Sequence, residues 1–186
     1  MIITVDALLE KPLVDEVIAF QTDTVYGVGC RIDSRKGVER IYELKGRDDR
    51  KPLPVLCADI EDARSLVQDP SQLEPYAARH WPGALTLVVK KSEVVGPHVT
   101  RGEDTIGVRV PDDDLARRIL RHFGPMAVTS LNRSQEPSCR TFEQAKAFAD
   151  RVDYLVEGGT AKGVSSTVFD VASKRVLRPG EVDPEG

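Results

Sequence analysis

Phe20 to Pro52 reads FQTDTVYGVGCRIDSRKGVERIYELKGRDDRKP, and the rest of the chain is organised around it. It opens with hydroxyls, an acid and glycines (Thr22, Asp23, Thr24, Tyr26, Gly27, Gly29) just past the apolar run Val17–Phe20, which has the length of a buried strand. A helix is expected from Ser34 to Leu44. Ser34 suits its N-cap, Val38, Ile41, Tyr42 and Leu44 give it an apolar face, and Gly46 suits its stop. The stretch closes on a cationic turn, Lys45, Gly46, Arg47, Arg50 and Lys51. Glycines let backbone come close to a ligand, and the cations suit phosphate or carboxylate. Together these features describe a site for a small, anionic, hydroxyl-bearing ligand.

Strands and helices alternate outward from this stretch. A short helix is expected at Asp6–Lys11 and a strand at Leu53–Cys57, placed at an edge or an irregularity because Pro54 cannot donate a ladder hydrogen bond. Helices are expected at Asp59–Val67, Leu73–Trp81, Asp112–His122 (with Leu115, Ile119 and Leu120 inward) and Thr141–Ala149. Strands are expected at Ala84–Lys90, Thr105–Pro111, Pro125–Ser130 and Tyr154–Glu157, with a late hairpin from Ser166–Val171 to Arg175–Leu177. The segments Val94–Asp104 and Leu131–Arg140 read as polar, ligand-facing loops. The pattern belongs to the α/β or α+β class with a mixed sheet, in a single domain spanning residues 1–186.

Composition narrows the function. A net charge of −4 over 186 residues argues against a strongly basic nucleic-acid binder. No apolar run is long enough to span a membrane, and the N-terminus lacks a basic leader, so a cytoplasmic protein is expected. The three cysteines, Cys30, Cys57 and Cys139, are widely spaced and form no zinc or disulfide pattern. No phosphate loop of the GxxxxGK[ST] kind, no GxGxxG after a strand and no GxSxG elbow is present. His80, His98 and His122 lack ligand spacing, so no metal site made of protein groups is expected. What remains is a set of polar clusters just past apolar runs: Thr22–Tyr26, Lys45–Lys51, Thr105 with Arg109, Ser130 with Asn132, Ser165–Thr167, and Arg178. Such a set can hold a nucleotide by its phosphates with a second polar ligand beside it.

The residues Thr22–Gly29, Lys45-Gly46-Arg47 and Lys51-Pro52-Leu53 resemble the YrdC/TsaC family of L-threonylcarbamoyladenylate synthases. The resemblance runs from about Glu16 to Glu181. It includes His80–Leu87, Gly107–Pro111, the Ser130-Leu131-Asn132 signature, Ser166-Thr167-Val168 and Arg178-Pro179-Gly180. It implies a twisted α/β sheet flanked by helices around a large cationic cavity. The activity it implies joins L-threonine, bicarbonate or CO2 and ATP into threonylcarbamoyl-AMP, with release of pyrophosphate and Mg2+ entering with ATP. The product would pass to a partner transferase that modifies tRNA, with direct contact to tRNA left open and no membrane involved. A second reading is an RNA-binding module of the same fold in tRNA or ribosome maturation.

Carried over by position, Lys45, Arg47, Ser130 and Asn132 resemble the catalytic set. Arg47, Lys51, Thr105, Ser130, Asn132 and Arg178 resemble ATP contacts, and Thr24, Arg109, Ser130 and Ser166 resemble threonine contacts. The chain departs from the family pattern at several positions. Gln21 and Asp48 stand where proline is usual, and Leu56 where longer relatives have histidine. Leu131 stands where alanine is usual, and Gln135 where glycine is. Ser138 and Thr141 are both candidates for a further hydroxyl contact. The chain is expected to be of the short form, without the C-terminal domain of longer members.

Overall fold

The computed structural model describes residues 1–46 and 51–186. Ten strands form one mixed sheet among these residues: β1 (Ile2–Ile3), β2 (Ile18–Phe20), β3 (Gly27–Arg31), β4 (Val55–Leu56), β5 (Leu85–Lys90), β6 (Thr105–Arg109), β7 (Met126–Ser130), β8 (Tyr154–Val156), β9 (Thr167–Asp170) and β10 (Arg175–Arg178). Their order across the sheet is β1-β8-β2-β3-β7-β4-β6-β5-β9-β10. The helices are α1 (Val5–Leu9), α2 (Arg35–Lys45), α3 (Ile60–Leu66), α4 (Glu74–His80), α5 (Pro97–Thr100), α6 (Asp114–Phe123) and α7 (Phe142–Ala145).

Side chains of a strand alternate between the two faces of its sheet. On β5, β6 and β9 one set is apolar: Leu85, Leu87, Val89, Ile106, Val108 and Phe169 are buried in the larger core. The register puts Leu87 beside both Val108 and Phe169, so the three form one row. Helices α2, α3 and α4 cover this face through Val38, Ile41, Leu66 and Tyr76, the last tilted against Phe169 at 5.3 Å between ring centres. The opposite face is closed differently along its width. Beneath β8, β2 and β7, Ile18, Phe20, Val128 and Val156 pack with Leu8 of α1 and Ile119 and Leu120 of α6. Beneath β5, β6 and β9 the same face carries Thr86, Thr105, Gly107, Arg109 and Ser166, and it opens into a cavity.

Helix α2 forms as its sequence dictates. Ser34 accepts from the Gly37 N–H, and Gly46 takes the left-handed conformation (φ 65°) and donates to Tyr42 O and Glu43 O. Lys45, one residue beyond the apolar Leu44, is thereby carried past the end of β7.

Several expectations change. Thr22–Gly29 is not one strand end: a loop runs to Tyr26 and a new strand, β3, begins at Gly27. The strand after Pro54 lies in the middle of the sheet between β7 and β6, not at an edge. The proline sits just outside the ladder, and its carbonyl accepts from Val128 N–H. Val94–Asp104 is only partly a loop: it contains α5 and buries Val95, Val99 and Thr100, while its Glu103 lines the cavity. The Thr141–Ala149 helix breaks into α7 and a 3-10 turn at Lys146–Phe148. Helix α6 starts at Asp114 after the cap Asp113; Ile119 and Leu120 are fully buried, Leu115 packs half-buried against the same core, and Ala116 joins them in full burial. β1 was not expected; two residues are too few to show a period.

The glycines of β3 have a structural use. A Cβ on Gly27 would lie 2.6 Å from Val128 Cγ1, and one on Gly29 would lie 2.7 Å from Val128 Cγ2. Both make room for Val128, and Gly27 also lines the cavity. Gly27→Ala should destabilise the chain by about 1–3 kcal/mol in urea unfolding, as overpacking does. Gly27→Ala with Val128→Ala should lose much less than the sum of the two single losses, whereas full additivity would show that the valine is not what the glycine accommodates.

Candidate active site

The cavity holds about 500 Å3 and lies on the uncovered face of β5, β6 and β9, reaching the ends of β3 and β7. Of the residues with assigned roles, Thr24, Lys45, Lys51, Thr105, Arg109, Ser130, Asn132, Ser166 and Arg178 all line it. Arg47 lies outside the described residues, as do Asp48, Asp49 and Arg50. Among the described residues the wall carries Lys45, Lys51, Arg109 and Arg178 against one acid, Glu103.

The first cluster sits where β7 ends. Lys45 is only 4 % exposed. Its Nζ donates to Ser130 O at 2.8 Å, Ser130 Oγ at 3.2 Å and Asn132 Oδ1 at 2.7 Å. Ser130 Oγ donates to Asn132 Oδ1 at 2.6 Å, and Asn132 Nδ2 donates to Arg133 O and Glu136 O. The lysine is thus the charged centre of a hydrogen-bonded knot that fixes the turn after β7. Leu131 points the other way and is fully buried, so the exchange of alanine for leucine is absorbed by the core. Gln135 adopts a left-handed backbone (φ 71°), the conformation that a glycine would take freely. The loop keeps its turn despite the substitution.

The second cluster joins β6 to the loop before β3. Arg109 Nη1 donates to Asp23 Oδ1 at 2.7 Å and to Gly83 O at 3.3 Å, and Nη2 donates to Thr24 Oγ1 at 3.2 Å. The pair is nearly closed to solvent, with side-chain exposures of 6 % and 10 %. Thr22 Oγ1 donates to Val25 O at 2.6 Å, so in its 3.1 Å contact with Thr24 Oγ1 the hydrogen comes from Thr24. Thr24 therefore donates to Thr22, accepts from Arg109 and keeps one lone pair for the cavity. Arg109 Nε–H has no partner among the described residues.

The third cluster links β5, β9 and β10. Thr86 Oγ1 lies 2.8 Å from Ser166 Oγ. Arg178 donates to Ser166 O from Nε (3.1 Å) and Nη2 (2.8 Å), and to Ser166 Oγ from Nη2 (3.0 Å). Desolvation, then the nearby positive Arg109, hold the Arg178 pKa below its usual range. Thr105 is half-buried, and Lys51 and Glu103 are exposed at the rim.

Other polar groups of the opening stretch lie elsewhere. Tyr26 is fully buried. Its hydroxyl donates to Gly159 O, and burial first, then the Asp113 charge, push it up to about 12. Gln21, in place of proline, donates to Asp113 at 2.9 Å and accepts from Gly159 N–H, so it ties the cap of α6 to the turn after β8. Thr141 caps α7 and Ser138 is not in the cavity wall; Ser134 and Gln135 are. Leu56 lines the cavity as an apolar patch. Burial raises all three thiols, so they offer no thiolate at neutral pH.

Thr86 and Glu103 were not assigned from the sequence. Threonine is common in any strand, and Glu103 sits among other charged residues of a turn. No group of three or more His, Cys, Asp or Glu that could hold a metal occurs among the described residues. No helix among the described residues is long and apolar enough to cross a membrane.

A family model described as Sua5/YciO/YrdC, telomere recombination, matches residues 13–180. The chain is 40 % identical over 178 residues to the threonylcarbamoyl-AMP synthase of Bacillus subtilis (strain 168), covering 92 % of this chain and 51 % of that one. It is 33 % identical over 174 residues to the threonylcarbamoyl-AMP synthase of Vibrio campbellii, covering 89 % and 92 %. It superposes on the crystal structure of P. abyssi Sua5 complexed with L-threonine with a TM-score of 0.84 at 38 % identity, covering 89 % of this chain and 51 % of that one. For E. coli YciO the TM-score is 0.82 at 27 % identity, covering 91 % and 85 %. The chain thus spans about half the length of some of the curated relatives it matches.

Lys45→Ala should lower stability by about 1–3 kcal/mol, because buried acceptors lose a charged donor. Urea unfolding checks this. An unchanged midpoint would mean that Lys45 does not hold the turn after β7.

Proposed function

The chain belongs to the Sua5/YciO/YrdC family, and on that premise we propose that it joins L-threonine, bicarbonate or CO2 and ATP into threonylcarbamoyl-AMP with release of pyrophosphate. The observation that carries the reading is the Arg109 cluster. A guanidinium with a free N–H edge stands beside a threonine hydroxyl with a free lone pair. Donors beside an acceptor match the carboxylate and the amine or hydroxyl of a small amino acid.

In this reading Arg109 clamps the threonine carboxylate while Thr24, Ser130 and Ser166 take its polar groups. Lys51, Thr105, Ser130, Asn132 and Arg178, with Arg47, take the nucleotide. The threonine amine attacks the carbon of CO2 and loses a proton, or attacks bicarbonate with loss of water, and forms a carbamate. A carbamate oxygen then attacks the α-phosphorus, and the bond to pyrophosphate breaks. No side chain need become covalently attached. The chain's own contribution is to align the two substrates and to offset charge on the phosphates. Lys45 does this at second hand: it is already bonded to Ser130 and Asn132, so it fixes both groups and adds its charge to the cavity. ATP enters as its Mg2+ complex. The product is a mixed anhydride, so the class of enzyme that consumes it is an acyl transferase, and a tRNA-modifying partner fits.

Pyrophosphate release is the direct test, with L-threonine and bicarbonate each supplied or withheld. Release that needs both together with ATP is expected. Release without threonine, or none from the folded chain, would overturn the reading. Arg109→Ala should raise the KM for L-threonine about tenfold or more, from the loss of charge-assisted bonds of roughly 1.5–3 kcal/mol. The KM for ATP should move much less, and an equal rise in both would remove the carboxylate role.

A further inference from the structure

Thr86 lies on β5 and is 5 % exposed; Ser166 lies just before β9 and is 6 % exposed. Their hydroxyl oxygens are 2.8 Å apart, and both line the cavity. Arginine only donates, so the 3.0 Å contact from Arg178 Nη2 occupies one lone pair of Ser166 Oγ. Two hydroxyls bring two hydrogens. One bridges the pair, and the other has no protein acceptor among the described residues. A buried hydroxyl hydrogen without an acceptor is costly, so the pair is built to donate to a ligand. When Thr86 supplies the bridge, both Ser166 lone pairs are filled and its hydrogen points to the ligand.

The same bridge steadies Arg178. This side chain comes from β10, an edge strand whose residues are all exposed, and it stands near the like charge of Arg109. Three donations to Ser166 hold it, and Thr86 holds the hydroxyl that receives one of them.

We propose that Thr86 is a positioning residue of this site: its hydroxyl directs Ser166 to donate toward an anionic ligand and, through Ser166, holds the Arg178 guanidinium over the cavity. The proposal rests on reading the cavity as the site for ATP and L-threonine. Thr86→Val keeps the shape and removes the hydroxyl, Thr86→Ser keeps the hydroxyl, and Arg178→Ala removes the group that is held.

The test is ATP binding in the presence of Mg2+, by titration calorimetry on the full chain, with thermal unfolding of each variant alongside. Thr86→Val should weaken ATP binding about five- to tenfold, and Thr86→Ser should restore most of it. Thr86→Val added to Arg178→Ala should cost little more than Arg178→Ala alone. A purely structural threonine would instead lower the unfolding temperature and leave the ATP affinity as it was. Wild-type affinity in Thr86→Val, or losses that add in full, overturn the inference and leave the proposed activity standing. ATP binding that follows the expected pattern, in a chain that releases no pyrophosphate with threonine and bicarbonate, upholds the inference and overturns the activity.

Discussion

Three strands, β5, β6 and β9, carry opposite chemistry on their two faces, and the rest of the structure follows from that. Leu85, Leu87, Ile106, Val108 and Phe169 must be buried, and the helices packed on that side bury them. Thr86, Thr105, Arg109 and Ser166 could not be buried under an apolar helix without leaving polar groups unsatisfied. The apolar patch under α1 and α6 stops where these residues begin. The cavity is therefore no accident of loop packing. It is the part of a two-sided sheet that the sequence gives no means of covering.

A cavity walled by cations raises the problem of keeping like charges in place. The structure answers in the same manner three times: Lys45 and Arg109, both buried, and Arg178, exposed on an edge strand, each donate to a main-chain carbonyl at the end of a strand or just before the start of one. Lys45 uses Ser130 O, Arg109 uses Gly83 O, and Arg178 uses Ser166 O. Arg109 adds a carboxylate, Asp23. A buried ion pair contributes little net stability, since desolvation offsets most of the attraction, but it fixes where a charge stands. Carbonyls fix position without cancelling charge. The result is a set of cations held in place before any anion binds, which is the condition under which electrostatic stabilisation is most effective.

Much of this was legible in the sequence because the informative residues sit at the ends of strongly periodic elements. Helix α2, with Ser34 at its start and Gly46 at its end, fixes Lys45, and the apolar runs after Thr105 and before Ser130 place those residues at strand ends. The failures have physical causes too. Pro54 marks an edge or an irregularity, and it is the second: the proline stays outside the ladder, and the two residues after it suffice to bridge β7 and β6 in mid-sheet. Gly27 does line the cavity, but nothing local reveals that Val128 of a distant strand also needs the space at Gly27 and Gly29. Tyr26 was grouped with the site hydroxyls, but β3 turns it into the core. Each error concerns a partner far away in the chain, which local pattern does not encode.

The direction of a hydroxyl is the sharpest instance. Two pairs of hydroxyls border the cavity, Thr22 with Thr24 and Thr86 with Ser166, and the residue types are nearly the same. Their third partners differ. Val25 O consumes a hydrogen of the first pair, so that pair ends in a spare lone pair beside Arg109. Arg178 consumes a lone pair of the second, so that pair ends in a spare hydrogen. One end of the cavity can therefore accept from an ammonium or hydroxyl while the other donates to an anion. The sequence shows four hydroxyls; whether each gives or takes is decided by one carbonyl and one guanidinium that only the fold brings to them.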